Sequence, residues 1–297
     1  MVTTATNKPR WYSPGNPAFL LPGGDGHSAV ISPSKVASIC GVSRWESEYT
    51  LWHRMKGLCP PEPPKDLFDV GMAFEPALAQ LWKIQNPGWR LSRGEVQYHS
   101  DAFGFPVCAT LDRRAAKHFK QKVVEFKIAH HTDEWGDPGL DGDCPADYAL
   151  QVIALQTFSG LTDPADLLVM GPFFRHFTYV VSFDTKVSDW MVSNCQRFWD
   201  SLSLETPPAL DDSVSTYYAV RAMHPDIDQG VRTEVPESLY ADIKDTRANL
   251  KDAETHHRGY TTKFLDAMGN AQYATVNGEV VADRRPHARG GVSLVVR

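Results

Sequence analysis

The segment Lys122–Ala129, KVVEFKIA, carries the residues best suited to chemistry. Along a strand, successive side chains point to opposite faces. Val123, Glu125 and Lys127 therefore share one face, and Val124, Phe126 and Ile128 share the other. The second face is an ordinary core face. The first sets an acid beside a base in an apolar strand, where a buried charge is costly unless it is paired or bound to a metal. The run FPVCATLDRR (105–114) reads as the neighbouring strand, with Cys108, Thr110 and Asp112 on one face. A hairpin centred between His118 and Phe119 puts Asp112 opposite Glu125. Facing carboxylates repel. A divalent cation between them relieves that repulsion, and oxygen ligands of this kind suit Mg²⁺, with Mn²⁺ as a substitute. Lys127 then lies near a metal-bound water, placed to orient or deprotonate it or to stabilise charge on a phosphate. The plainer alternative is a Glu–Lys pair on an exposed sheet face.

An acid-x-Lys triplet alone is weak evidence, since roughly one arises by chance in a chain of this length. Asp184-Thr185-Lys186 and Asp242-Ile243-Lys244 are such triplets. Asp242 falls in a charged helical stretch, where residues i and i+2 do not face each other. Asp184 ends a strand-like run but has no upstream strand Asp at hairpin distance. Only the Glu125 triplet has the whole arrangement.

The elements that must position these groups can be read from pattern. Residues 1–30 are rich in Pro, Gly and Asn and read as an irregular arm. Ser32-Pro33-Ser34 opens a helix, with Ser as N-cap. A second helix runs from about Glu46 to Met55, and CPPEPPKD (59–66) is a loop. Leu67, Val70, Phe74, Leu78 and Leu81 recur at helical spacing over 67–85, with Glu75 beside the stripe. Pro76 predicts a kink there or a helix that begins near it. Residues 145–160 read as a helix opened by Pro and closed by Gly. DLLVMGP and FTYVVSF read as strands, 187–203 and 236–268 as helices, and NGEVV with GVSLVVR as a small terminal hairpin. The fold class expected is α/β: a mixed central β-sheet flanked by helices, with a helical and small β C-terminal extension.

Glu75 in GMAFEP, Asp112 in ATLDRR, the triplet in VVEFK and Gln151 in PADYALQ occur in an order that resembles the PD-(D/E)xK nuclease superfamily. More narrowly, it resembles the YqaJ-like viral recombinases, the branch that includes the alkaline exonucleases of lambdoid phages. Ser32-Pro33-Ser34, Trp135 and FWDSLSLETPPALDD fit the same branch. The resemblance covers roughly residues 30–225. It implies a restriction-endonuclease-like core in which Asp112, Glu125 and the Phe126 carbonyl hold metal, while Glu75 contacts metal through water or holds a second ion. It also implies that Lys127 serves the attacking water and that Gln151 positions active-site groups. An Arg expected upstream of Pro33-Ser34 is missing. His27 or Lys35 would stand in for it at a 5′ phosphate, and Ser34, Lys35 and Arg113 are DNA-contact candidates. The activity implied is 5′-to-3′ degradation of one strand of linear double-stranded DNA, leaving 3′ overhangs. The partners implied are a single-strand annealing protein and further copies of the chain in a ring-shaped trimer.

On this reading residues 1–30 are an arm, 31–225 the exonuclease domain, and 226–297 a C-terminal extension. Two rivals stand beside it. One is an endonuclease or single-strand nuclease of the same fold; the other is a DNA-binding module on a catalytically silent fold. A nuclease built on an iron–sulfur cluster is disfavoured, because the five cysteines are scattered and form no C-x-x-C pair. The formal net charge of −6 argues against a protein that merely coats DNA. It leaves room for a local basic track, for which Arg113, Arg114, Lys117, Lys120, Lys122 and Lys127, and the tail residues Arg284, Arg285, His287 and Arg289, are candidates. No apolar run approaches the roughly 20 residues that span a bilayer. The N-terminus lacks a basic-then-apolar signal pattern, so the expected location is the cytoplasm of a phage-bearing bacterial host, without membrane contact. His130-His131 point to opposite strand faces and make no joint metal site. His256-His257 read as surface. Of Trp45, Trp52, Trp82 and Trp89, most are expected in the core, with one free to stack on an unpaired base.

Overall fold

The computed structural model describes residues 9–60, 66–286 and 291–297. Most of the 59–66 loop, and His287 and Arg289, lie outside the described residues, as does the side chain of Leu67. The chain divides into two compact units, Met1–Ile227 and Asp228–Arg297.

The first unit holds two sheets. β1 (Arg10–Tyr12), β3 (Val96–Ser100) and β4 (Val107–Leu111) form an antiparallel sheet in the order β1-β3-β4. β2 (Arg90–Leu91), β5 (Arg113–Lys117), β6 (Lys120–Ile128), β7 (Ala165–Met170) and β8 (His176–Val181) form a mixed sheet in that order. Only the β6–β7 pair is parallel, and α5 (Ala146–Ser159) lies between those strands in sequence. Helices cover both faces of the mixed sheet. On one side Leu78, Ala79 and Trp82 of α4 (Asp66–Gln85) pack with Val124, Phe126 and Leu168. On the other, Leu150, Ile153, Ala154 and Phe158 of α5 share a core with Val123, Leu167 and Val169. The mixed α/β architecture expected from the sequence is therefore present.

Local chemistry accounts for the elements. α2 (Pro33–Ile39) starts on Ser32 with Pro at N1, where its missing N–H costs nothing. α3 (Glu48–Met55) starts on Ser47, whose hydroxyl accepts from the Thr50 N–H. Gly160 closes α5 in the left-handed region, at φ 74°. α5 is apolar nearly all round because it is buried between sheet and helices. α6 (Thr185–Ser201) opens on Asp184, whose Oδ1 accepts from the N–H groups of Lys186 and Val187 at 2.8 and 3.2 Å. The Asp184 triplet is thus a helix cap. α7 (Val214–Met223) starts on Ser213 in the same manner.

In the first unit the structure differs from the sequence reading at three places. The expected strand 105–114 is two strands in two sheets, broken at Asp112. Of the two alternatives at Pro76, a helix that begins there is not found: α4 starts ten residues earlier and runs through it, because its packing on β6 and β7 outweighs the one backbone hydrogen bond that Pro removes. The expected irregular arm contains β1 and a one-turn helix α1 (Asp25–Ser28).

In the second unit, α8 (Glu237–Met268) has no buried residue, so His256 and His257 are exposed as expected, as is the Asp242 triplet. It is followed by β9 (Tyr273–Val276), β10 (Glu279–Pro286) and β11 (Val292–Val296), paired in the order β11-β10-β9. The expected hairpin is thus a three-stranded sheet. Its Asn277-Gly278 turn has φ of 52° and 87°, the positive values that a tight two-residue turn requires.

Candidate active site at the crossing between the sheets

β5 and β6 form the expected hairpin. Lys117 pairs with Lys120, leaving His118 and Phe119 as a two-residue turn with His118 at φ 53°. The register Arg113↔Val124, carried one step further, sets Asp112 opposite Glu125. At that step the ladder ends, because the chain before Asp112 belongs to β4 in the other sheet. The Phe126 N–H, left without a backbone partner on that edge, donates to Asp112 Oδ2 at 2.7 Å. One residue's N–H and C=O address the same neighbour in an antiparallel ladder, so the Phe126 carbonyl is turned toward Asp112 too.

Glu125 is 3% exposed. Its Oε1 accepts from Lys127 Nζ at 2.6 Å and from Gln151 Nε2, on α5, at 3.0 Å. Its Oε2 is buried and has no hydrogen-bond partner among the described residues. On the other side of Asp112, Arg113 donates to Glu75 Oε1 and to the Asp112 carbonyl. Glu75 reaches the site from α4, one residue before Pro76. Glu75, Asp112, Glu125, Lys127 and Gln151 therefore meet at one place.

Charge is unbalanced there. Burial, and then the Glu125 charge, push the Asp112 carboxyl well above the usual carboxylate range, against the pull of Lys127 and the Phe126 N–H. Burial would lower the Lys127 pKa, but Glu125 and Asp112 together outweigh it and favour the ammonium. Glu95 also lies here. Its pKa is raised by burial and by Glu75, with Arg113 opposing. Single ligand oxygens of Glu75, Glu95 and Asp112 all lie within 4.8 Å of one another. Crowded carboxylates and an unpartnered buried carboxylate oxygen are the donor set of a hard divalent cation. The residues present therefore fit a metal ion.

An aromatic wall flanks Lys127. Its Nζ lies 5.8 Å from the centre of the Tyr148 ring, which stacks on Trp135 at 5.2 Å. Arg44 ties this wall together, bonding Glu134 and Asp147 beside Tyr148 and Trp45. Trp45 is 64% exposed, whereas Trp52 and Trp82 are buried and Trp89 is half-buried. Sequence reasoning missed Glu95, Arg44 and Tyr148. Glu95 carried a usable signal, since it immediately precedes the alternating strand VQYHS.

The DNA-contact candidates separate. Ser34 is exposed, with its hydroxyl on Ser32 Oγ at 3.0 Å. Lys35 is 5% exposed, and its Nζ donates to the carbonyls of His27, Ser28 and Val30 at 3.0, 2.8 and 2.6 Å. All three of its protons are used in holding the loop before α2. Burial lowers His27 to about 4, which leaves the ring neutral at physiological pH and so no substitute for an Arg charge. Arg113 is 6% exposed and is committed to Glu75.

Part of the expected basic track is tied to groups within the fold. Lys122 is paired with Asp166 at 2.6 Å, Arg114 with Tyr98 Oη at 3.2 Å, and Lys117 with the Pro87 carbonyl at 3.4 Å. Strand alternation sends these charges to both faces, where the fold consumes them. In the second unit, Arg285 pairs with Asp283. The five cysteines are all free, with Cys59, Cys108 and Cys195 buried and Cys40 and Cys144 half-buried. Among the described residues no helix is long and apolar enough to cross a membrane.

A mixed sheet flanked by helices thus brings opposed acids and a lysine together where the β5–β6 ladder ends. Residues 25–161 match the model of the YqaJ-like viral recombinase domain. The match spans every site residue from Glu75 to Gln151. Among solved structures, the alkaline exonuclease LHK-Exo from Laribacter hongkongensis is similar, at 14% identity and a TM-score of 0.47, over 67% of this chain and 96% of that one. A structure of LHK-Exo in complex with dAMP is also similar, at 14% identity and a TM-score of 0.45, over 61% and 91%. So is a structure from Eubacterium rectale, at 12% identity and a TM-score of 0.46, over 71% and 92%. No curated protein matches the chain.

Proposed function

We propose that this chain is a Mg²⁺-dependent exonuclease that hydrolyses phosphodiesters of linear double-stranded DNA, 5′ to 3′, leaving 3′ overhangs for phage-type recombination. The observation that carries this reading is Asp112 opposite Glu125, with Lys127 and Gln151 both on Glu125 Oε1 and Oε2 left bare. Asp112, Glu125 and the Phe126 carbonyl would hold the ion, and Glu75 would contact it through water. When bound, the ion supplies Lewis acidity at the phosphate and makes water a better nucleophile. Gln151 and Lys127 fix the Glu125 carboxylate through Oε1 and leave Oε2 free. The Lys127 ammonium, held by Glu125, donates to the attacking water or to charge building on the phosphate. The aromatic wall of Trp135 and Tyr148 limits water access on that side. The annealing-protein partner and the trimeric ring belong to the same proposal.

The test is digestion of linear duplex DNA, labelled separately at its 5′ and 3′ ends, with Mg²⁺ and with EDTA, beside a closed circle. The reading expects Mg²⁺-dependent loss from 5′ ends with circles intact. Cut circles would replace it with an endonuclease. DNA binding without cleavage in either Mg²⁺ or Mn²⁺ would replace it with a binding module.

A further inference from the structure

α8 runs for 32 residues with no buried side chain, a length of about 48 Å. Propensity alone holds a helix weakly, and most helical stability in proteins comes from packing an apolar face. α8 has such a face and leaves it uncovered. Leu239, Ile243, Leu250 and Tyr260 are each more than half exposed. With Phe264 they fall on one seam whose steps alternate between four and three residues, the heptad period of a coiled coil. Thr246, Ala253 and His257 fill the intervening steps. Thr246 suits a buried step, because its hydroxyl already donates to the Asp242 carbonyl at 2.8 Å.

We propose that α8 pairs with itself: the occupant of its seam is the α8 of a second copy of this chain, running antiparallel. This goes beyond the nuclease reading and does not depend on it. Size and charge both select that occupant. Laid antiparallel, the seam sets large residues against small ones across the two copies: Leu250 opposes Ala253, His257 opposes Thr246, and Tyr260 opposes Ile243. The flanking positions then oppose Asp242 to Lys263 and Arg247 to Glu254. Two-fold symmetry makes each pair twice, so four opposite-charge pairs flank the seam and no like-charge pair does. Parallel packing sets each seam residue against its own copy. That leaves a gap at Ala253, crowds two imidazoles at His257, and pairs only Asp242 with Arg247 among the flanking charges.

The test is sedimentation equilibrium of the full chain over a range of concentrations, with circular dichroism as the check on folding. The proteins compared are wild type, Leu250→Glu, Asp242→Lys and the double variant Asp242→Lys/Lys263→Asp. Wild type should associate reversibly to at least twice the mass of Leu250→Glu. Asp242→Lys turns two attractions into repulsions and should raise the dissociation constant about tenfold. The double variant restores the opposite charges and should return to within about threefold of wild type. The comparison is one of ratios, so it reads the same for a ring of first units as for a single one. A wild type no heavier than Leu250→Glu at every concentration would overturn the proposal, and it would do so if the seam were covered within one chain. Association of Asp242→Lys equal to wild type would overturn it as well. So would a double variant that associates no better than Asp242→Lys, the result of parallel packing; the two charge variants decide the matter even if Leu250→Glu does not fold.

Discussion

Asp112→Asn should make the protein more stable when metal is withheld and should abolish its stabilisation by metal. The oxygens of Asp112, Glu75 and Glu95 lie within 4.8 Å of one another. At that distance and an effective dielectric constant of about 20, each like-charged pair repels by about 3.5 kcal/mol. Asp112 faces the acids Glu75, Glu95 and Glu125 against the cations Arg113 and Lys127, so roughly one repulsion is in surplus. Asp112 is half-buried, and solvent screening reduces that surplus to about 1–2 kcal/mol. Asparagine keeps an oxygen for the Phe126 N–H. For a unit of this size the gain corresponds to a melting temperature higher by about 2–6 °C. The sign depends on pH. The folded-state pKa of Asp112 is raised, so the folded form binds the proton more tightly than the unfolded chain does. Wild-type stability therefore falls as pH rises from the unfolded value of about 3.9 through the folded one. The advantage of the variant should be absent in acid, grow through that window and then level off. Differential scanning calorimetry in EDTA across pH, repeated with Mg²⁺, measures it. Mg²⁺ should raise the melting temperature of wild type and leave that of the variant where it was. An Asp112→Asn protein that melts below wild type in EDTA near neutral pH would refute the electrostatic reasoning.

Three further outcomes are expected. Lys127→Ala should lower the rate of DNA cutting by about 10²–10³-fold, the cost of losing one donor to developing charge, while Mn²⁺ titration still finds bound metal; full activity removes Lys127 from the mechanism. Lys35→Met should destabilise by about 1–3 kcal/mol in denaturant titration, because the carbonyls of His27, Ser28 and Val30 lose their donor. Burial lowers Lys35 to about 8, so the folded state holds that proton more weakly than the unfolded chain, and the gap to the variant should widen as pH rises above about 8. Asp184→Ala should cost about 1 kcal/mol through the lost cap of α6 and leave DNA cutting unchanged, since this second acid-x-Lys triplet is a capping device.

What was legible in the sequence was whatever depends on short-range periodicity. The α5 helix has its Pro and Gly punctuation, the β5–β6 turn centres on His118–Phe119, and the alternation of VVEFK assigns Glu125 and Phe126 to opposite faces. The turn centre fixes the register that opposes Asp112 to Glu125. Glu95 was legible only as the residue before an alternating strand, because its place beside Asp112 depends on the pairing of β3 with β4, a second hairpin. Lys35 and Arg113 misled for a different reason. A basic residue reads as a surface charge until its partners are known, and here those partners are backbone carbonyls eight or fewer residues away and a glutamate thirty-eight residues away. A helix beginning near Pro76 was one of two alternatives because local backbone chemistry was weighed without the packing of Trp82 and Leu78 on the sheet.

The break at Asp112 explains why the acids are where they are. Had residues 105–114 formed one continuous strand beside β6, residue 111 would have paired with Phe126 and filled the edge with backbone hydrogen bonds. Because the chain leaves for the other sheet at Asp112, one carboxylate oxygen takes over the Phe126 N–H. The same departure brings the strand start at Glu95 alongside. A polar gap opened in this way between two sheets must be filled by water, by side chains or by an ion. Arg113 and Lys127 fill it only in part, since Glu125 Oε2 stays bare and burial with like charge holds Asp112 toward its neutral form. A fold that keeps four acids around two cations at a strand break is less stable than the same fold with fewer acids. The feature that offsets this cost is a divalent cation, and the same cation is what a phosphodiester needs in order to be cut.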